Sequence, residues 1–88
     1  MLAYKACYKF LGDGVHAWVA DFPGVVTCAD DLPEARRLLA SALQDMAELR
    51  IERGEALPVP RPLATDPEAD LDEPLAVDLR VVPAAAVA

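Results

Sequence analysis

The side chains that could act as nucleophiles or proton carriers are few in this sequence, and they are scattered along it. His16 is the single histidine among 88 residues. A cysteine–histidine pair is the only candidate for nucleophilic catalysis, because Ser41 has no histidine near it in sequence. Cys7 and His16 could approach each other across a hairpin, but no third group is evident that would orient the imidazole. We therefore expect no catalytic residues.

Carboxylates offer a second kind of chemistry, metal-assisted hydrolysis. Four aspartates fall near the ends of predicted strands: Asp13, Asp21, Asp30 and Asp31. Asp13 and Asp21 bracket one strand, so their carboxylates should lie about 25 Å apart at roughly 3.4 Å per residue. Such a pair cannot share a metal ion, and the glycines do not follow the spacing of a phosphate-binding loop. The sequence predicts neither a metal site nor a cofactor.

Three short strands at the start of the chain would position these side chains. Residues 2–10 alternate between apolar and polar side chains, which is typical of a half-buried strand. Residues 12–14, Gly-Asp-Gly, predict a tight turn that uses positive φ, and a second strand follows over residues 15–22. The Pro-Gly step at residues 23–24 ends that strand, and a third runs over residues 25–29. Together they predict an antiparallel meander with one face to cover.

A single helix is predicted to cover that face. Asp31 can cap its first turn, Pro33 fits the start of a helix, and Glu34 occupies the capping-box position. Gly54 is well placed to end the helix after about 22 residues, or roughly 33 Å. Its apolar residues recur at spacings of three and four and predict a stripe that packs on the sheet. The stripe comprises Leu32, Ala35, Leu39, Ala42, Met46 and Leu49, widened by Leu38 and Leu43.

The rest of the chain predicts a loop and one more strand. Residues 55–74 are rich in proline, alanine and acidic residues, which indicates a long connection. Residues 75–82 alternate again and predict a fourth strand that returns to the sheet. We expect one α+β domain over residues 1–82, with the order β-β-β-α-β, and a disordered tail over residues 83–88. The in-phase apolar positions predict a core of Tyr4, Tyr8, Phe10, Val19, Leu39, Met46, Val77, Leu79 and Val81.

The balance of charge restricts the partners of the chain. The formal net charge is -7 and the sequence pI is near 4.4, whereas nucleic-acid binding depends on lysine and arginine that neutralise phosphates. A basic protein surface is the natural complement of such a chain. The sequence shows no signal peptide and no membrane-spanning run, and its two cysteines lack CxxC spacing. We expect a cytoplasmic protein with buried free thiols and no contact with membranes or, directly, with nucleic acid.

Three segments carry a resemblance to a known family. Residues 17–24 read AWVADFPG, residues 29–35 read ADDLPEA, and residues 53–60 read RGEALPVP. Their order and spacing resemble those of the HicB antitoxin family of bacterial toxin–antitoxin systems. The resemblance implies a partial RNase H-like fold without that fold's catalytic carboxylates. It also implies that the chain binds a HicA-type toxin, a small basic mRNA-cleaving enzyme, and inhibits it by occlusion.

The sequence departs from the family in one respect. Typical members add a DNA-binding domain, but the residues after Gly54 are few and carry a net charge of about -5. We therefore expect no DNA-binding domain. The alternative function is a stand-alone homo-oligomeric domain of the same fold that has no toxin partner and could bind a small ligand. In both cases we expect a homodimer or homotetramer that forms partly through sheet edges, with residues 75–82 as a pairing strand.

The predicted contact surface lies at the end of the second strand. It comprises Trp18, Asp21, Phe22, Pro23 and Gly24. Aromatic side chains beside a carboxylate are typical of protein contact surfaces, and the Pro-Gly turn would restrain the strand end. The opposite interpretation, in which Trp18 fills the core, stays open on the sequence alone.

Overall fold

The chain forms a four-stranded antiparallel sheet with one helix packed on one face. The computed structural model describes residues 2–61 and 63–78. The elements in chain order are β1 (Leu2–Leu11), β2 (Gly14–Val19), β3 (Val26–Ala29), α1 (Leu32–Glu52) and β4 (Leu71–Val77). The strands lie in the order β3-β2-β1-β4, and every neighbouring pair is antiparallel. The expected α+β class and the order β-β-β-α-β are confirmed.

The register of the strands assigns each side chain to one of two faces. Residues that lie directly opposite each other share a face. The pair Tyr8↔Ala17 therefore lies on the inner face, beneath the helix, together with Ala6↔Val19. The alternate pair Cys7↔Trp18 lies on the other face, which we call the outer face. The alternation predicted for the first strand is confirmed.

The turn between β1 and β2 does not use positive φ, so this part of the prediction is wrong. Among the described residues, positive φ occurs only at Gly24 and Gly54. Position 14 requires a glycine because there is no room for a side chain: a Cβ there would lie 2.7 Å from the carbonyl oxygen of Ala29 on β3. The sequence shows the glycine, but it cannot show which strand approaches it.

The helix begins and ends close to its predicted signals. The Asp31 side chain accepts a hydrogen bond from the Glu34 N–H at 2.9 Å. Glu34 in turn pairs with Arg37 one turn later, at 2.6 Å. Gly54, with a φ of 72°, follows the last turn. The Asp31 cap satisfies a backbone N–H at the start of the helix, and the N–H groups of Gly54 and Glu55 donate to carbonyl groups of the last turn.

The buried row of α1 differs from the predicted stripe. Its members recur at a spacing of four: Ala35, Leu39, Leu43, Ala47 and Ile51. Such a row rotates by about 40° around the helix at each step, so it follows the twist of the sheet. The predicted stripe assumed a straight line of contact. Leu49 is consequently 37% exposed, and Met46 is only partly buried against the core.

The core of the molecule contains aromatic residues that the pattern assigned correctly and one that it did not. Tyr4, Tyr8, Val19, Leu39 and Val77 are buried as predicted. Phe10 has the correct phase, but it lies one pair from the β1–β2 turn and is 49% exposed, so its assignment to the core is wrong. Leu79, Val81 and the predicted tail over residues 83–88 lie outside the described residues.

The fourth strand starts earlier than predicted and contains a proline. β4 begins at Leu71 and includes Pro74, which suggested a loop in the sequence. Across β1, Pro74 lies opposite Lys5, whose carbonyl accepts from Ala20 on the β2 side. The pair Lys5↔Pro74 is thus not hydrogen-bonded, and the missing N–H of the proline faces the open edge. A proline is tolerated on an edge strand in this orientation.

Candidate protein-binding surface

The segment that connects α1 to β4 passes from the inner to the outer face of the sheet. We call it the return segment (residues 53–61 and 63–70). The Tyr4 hydroxyl donates a hydrogen bond to the Pro58 carbonyl at 2.7 Å on the inner side. On the outer side, the Trp18 indole Nε1–H donates to Asp66 Oδ2 at 2.9 Å. The return segment therefore covers part of the outer face, where Cys7 is completely buried.

Asp21, a predicted contact residue, fastens this segment to the sheet. Its side chain is buried, at 7% exposure. Oδ1 accepts from the Lys5 N–H at 2.9 Å, and Oδ2 accepts from the Arg61 N–H at 2.8 Å. One carboxylate thereby joins β1, the turn after β2 and the return segment. Hydrogen bonds to a charged acceptor are stronger than those between neutral groups.

Phe22 points into the core from the same turn. It is fully buried, and its ring meets the Tyr4 ring edge-on at a centroid distance of 5.2 Å. The Arg50 guanidinium lies over the Phe22 ring, 5.0 Å from its centroid, which is within the range of a cation–π contact. The turn brings Phe22 inward because β2 ends at Val19, three residues before the predicted end.

Trp18 lies half-buried on the outer face, so neither interpretation from the sequence describes it completely. Its ring packs at 5.4 Å from the His16 ring, and its indole N–H is satisfied by Asp66. Pro23 and Gly24, at the turn that follows, are exposed. The structure thus leaves three of the five predicted contact residues accessible, while Asp21 and Phe22 support them from inside.

A cleft beside Trp18 contains three residues that the sequence did not single out for a site: Lys9, Asp66 and Glu68. Its volume is about 300 Å³, and it is lined by Lys9, His16, Trp18, Asp66 and Glu68. Both oxygens of Asp66 are occupied, by the Trp18 indole and by the Glu68 N–H. The only signal in the sequence was indirect: a tryptophan N–H requires an acceptor when it is buried.

The cysteine and histidine side chains do not form the pair that the sequence suggested. His16 Nδ1 lies 3.4 Å from Cys28 Sγ, and Cys28 is exposed, which corrects its expected burial. Cys7 lies opposite Trp18 and is buried as expected. Burial, followed by the negative charges of Asp66 and Asp72, raises the pKa of the Cys7 thiol above its ordinary value. Cys7 is therefore held in its unreactive, protonated form.

The charged residues near this surface are paired in part. Lys5 lies 3.5 Å from Asp72, and Lys9 lies 4.0 Å from Glu68, and in both pairs the carboxylate is exposed to solvent. Such pairs contribute about 0–1 kcal/mol each. A second groove of about 350 Å³ lies at the other end of the sheet. It is lined by Leu11, Asp13, Gly14, Val15, Cys28, Ala29 and Asp30.

No group of three or more His, Cys, Asp or Glu side chains among residues 2–61 and 63–78 is arranged to hold a metal ion. Within the same residues, no helix is both long enough and apolar enough to cross a membrane.

Solved structures share this architecture. The antitoxin HicB of Burkholderia pseudomallei has a TM-score of 0.79 and 23% identity, over 94% of this chain and 67% of that chain. The N-terminal domain of the same antitoxin, solved alone, has a TM-score of 0.69 and 24% identity, over 89% of this chain and 100% of that chain. The fold is that of the HicB N-terminal domain.

A third similar structure with this HicB-like fold belongs to a complex. A chain of the HicA3 and HicB3 toxin–antitoxin complex has a TM-score of 0.63 and 16% identity, over 88% of this chain and 99% of that chain. The sequence itself matches no protein-family model and no curated protein. The similarity is therefore carried by the arrangement of the strands and the helix, and it concerns the fold.

Proposed function

We propose that this chain is an antitoxin domain that binds a small basic toxin of the HicA type and occludes its active surface. The observation that carries the proposal is the HicB-like fold over 94% of the chain, together with a similar chain from a toxin–antitoxin complex. The net charge of -7 supports it, because an acidic protein and a basic partner attract each other over a distance.

The accessible part of the predicted contact surface is the proposed toxin-binding site. Trp18 offers a large half-buried ring, and the exposed Pro23–Gly24 turn lies close to the end of the same strand. Asp21 and Phe22 belong to the site as supports, since both are buried beneath it. A rigid aromatic residue held by the fold loses little entropy on binding, which favours its use as an anchor.

The proposed role is protein binding without catalysis and without direct contact to DNA. Residues 2–61 and 63–78 contain one helix, and that helix packs on the sheet along a whole face. The acidic balance of the chain opposes binding to phosphates. In this proposal the chain inhibits the toxin only by covering it with the contact surface.

The test is co-expression with HicA-type toxins, including any small basic protein encoded beside the gene for this chain. We expect the chain to restore growth when such a toxin is induced, and to co-purify with it. A folded chain that neither rescues growth nor co-purifies with any of these toxins would contradict the proposal.

A pair of variants locates the site. Trp18→Ala should weaken toxin binding by about 2 kcal/mol or more, which is the scale of an interface anchor, or roughly 30-fold in Kd. Leu11→Ala is the matched control, because Leu11 is an exposed apolar residue of the outer face at the far end of β1. Equal affinities for the two variants would remove Trp18 from the interface.

A further inference from the structure

The cleft beside Trp18 combines two kinds of group that attract cations. One is an aromatic wall, in which the Trp18 ring lies beside the His16 ring with 5.4 Å between the ring centroids. The other is a pair of carboxylates on the return segment, from Asp66 and Glu68. The volume of about 300 Å³ is at the lower limit for a small-molecule pocket. A cleft of this size suits one long side chain of a partner.

The charges around the cleft favour a cation over an anion. The lining residues contribute two carboxylates and one ammonium group, that of Lys9. Lys9 Nζ lies 4.0 Å from Glu68 Oε2 and 3.5 Å from the Glu68 carbonyl oxygen, so it balances one of the two negative charges. The negative field reaches a neighbouring thiol: burial is the first cause that raises the pKa of Cys7, and the charges of Asp66 and Asp72 follow. An anion would be repelled from this cleft.

Both carboxylates have acceptor capacity left for a partner. Asp66 accepts from the Trp18 indole N–H and from the Glu68 N–H, each at 2.9 Å, whereas an ionised carboxylate can accept about four hydrogen bonds. The Glu68 side chain is 74% exposed, and its distance of 4.0 Å from Lys9 Nζ is too long for a hydrogen bond. A donor from a partner therefore finds acceptors without displacing a hydrogen bond of the fold.

Two contacts within the chain show how its side chains hold a guanidinium group. Arg50 lies over the Phe22 ring, and Arg36 donates to both carboxylate oxygens of Glu73, at 2.8 and 3.1 Å. The cleft brings both kinds of group together, an aromatic ring and carboxylates, and none of its five lining residues is an arginine. A guanidinium group suits both at once, because it is planar and donates hydrogen bonds in a fork. An ammonium group is more strongly hydrated and has no flat face.

We propose that the cleft binds the guanidinium group of an arginine side chain from the partner protein, stacked on Trp18 and hydrogen-bonded to Asp66 and Glu68. The inference rests on the proposed function, and it names the chemical group of the basic toxin that the site selects. It also gives the return segment a role in recognition. Trp18 is held by Asp66 and by the His16 ring before the partner arrives, so little order is lost when the arginine enters.

The first test uses the whole chain without any toxin. It is titrated with three blocked tripeptides, Gly-Arg-Gly, Gly-Lys-Gly and Gly-citrulline-Gly, while the Trp18 indole N–H resonance is followed by NMR. Citrulline has the shape of arginine but no charge. We expect the arginine peptide to shift the resonance until it saturates, and the citrulline peptide to leave it in place. The lysine peptide should bind about threefold more weakly than the arginine peptide, or worse.

Two matched variants assign this binding to the cleft. Glu68→Gln keeps the size of an exposed side chain and removes its charge, so it should raise the Kd of the arginine peptide about threefold or more. Glu52→Gln makes the same change at an exposed position at the end of α1 and should leave the Kd unchanged. An arginine peptide that does not bind, equal binding of the three peptides, or equal effects of the two variants would each overturn the inference.

The second test finds the arginine on a toxin that the chain neutralises. Each arginine of that toxin is changed to glutamine, and the Kd is measured with the parent chain and with Glu68→Gln. We expect one arginine whose loss weakens binding to the parent chain by about tenfold or more. The same change should cost clearly less with Glu68→Gln, because the contact is already lost there. Losses that are independent of Glu68 at every arginine would contradict the inference.

The inference and the proposed function fail in different ways. A chain that binds a toxin, but neither prefers the arginine peptide nor couples to one arginine of the toxin, contradicts the inference alone. A chain that binds the arginine peptide at the cleft, but neither rescues growth nor co-purifies with any HicA-type toxin, contradicts the proposed function and the assignment of the arginine to a toxin.

Discussion

The two carboxylate oxygens of Asp21 each accept a backbone N–H, one from Lys5 and one from Arg61. Asp21→Ala leaves both donors unpaired near the core, so we expect the free energy of unfolding to fall by about 2–4 kcal/mol. Asp45→Ala is the matched control, because it removes the same charge from an exposed helix position. Chemical denaturation of both variants measures the difference.

The same pair of variants has a local readout. The Arg61 amide should exchange with solvent faster in Asp21→Ala, because its acceptor is gone. Asp45→Ala should leave that exchange unchanged. Equal stability of the two variants, with a protected Arg61 amide, would show that Asp21 does not hold the return segment.

The raised pKa of Tyr8 predicts how the stability of the fold changes at alkaline pH. Burial, followed by the negative charge of Glu73, raises the pKa of Tyr8 to about 12, from the ordinary 10.0. Between these values the unfolded chain releases the phenolic proton and the folded chain keeps it, so a rise in pH favours unfolding. We expect the melting temperature to fall across this window. Tyr8→Phe should flatten the fall, and an identical slope would assign it to other groups, among them Tyr4.

At the scale of elements, the close contact between the first turn and β3 requires that Gly14 has no side chain. A Cβ at Gly14 would lie 2.7 Å from the Ala29 carbonyl oxygen, whereas nothing lies within 4 Å of the corresponding position at Gly12. Gly14→Ala should therefore destabilise the chain by about 1–3 kcal/mol, as overpacking does. Gly12→Ala should be neutral or slightly stabilising, because its φ is not positive. Thermal melts that rank the two variants in the opposite order would contradict this account.

The elements themselves could be predicted wherever one local signal determines them. The alternation of β1 and the Asp31 cap are such signals, and both are confirmed. The extent of β4 was not accessible in the same way. Pro74 reads as a loop residue unless it is known that its strand lies on an edge and that its nitrogen faces outward. That is a property of the assembled sheet, not of the residues around the proline.

The roles of residues in the candidate site also depend on contacts between residues that are far apart in sequence. The sequence predicted a contact surface that includes Trp18, Pro23 and Gly24, but it left open whether Trp18 fills the core. The role of Asp21 could not be predicted, because its partner Arg61 is 40 residues away in sequence and donates a backbone N–H. A backbone donor carries no side-chain signature. Only such long-range contacts distinguish a residue that could touch a partner from one that holds the surface in place.

At the scale of the whole molecule, the net charge of -7 predicts how the rate of the proposed toxin binding depends on salt. Exposed acidic side chains contribute to this field, for example Asp13, Asp30 and Asp45. Such a field accelerates encounter with a basic toxin, and salt screens it beyond a distance of about 8 Å at physiological ionic strength. In the proposed complex, the rate of dissociation depends instead on short-range contacts, above all on those around Trp18.

We therefore expect the association rate constant to fall by about tenfold or more between low and high salt, while the dissociation rate constant changes little. Stopped-flow mixing, followed by the fluorescence of Trp18, the single tryptophan, measures both constants. Trp18 lies in the proposed interface, so its emission should change on binding. A triple variant, Asp13→Asn, Asp30→Asn and Asp45→Asn, should associate more slowly at low salt and match the parent chain at high salt. An association rate that is independent of salt would mean that the acidic surface serves solubility and not recognition.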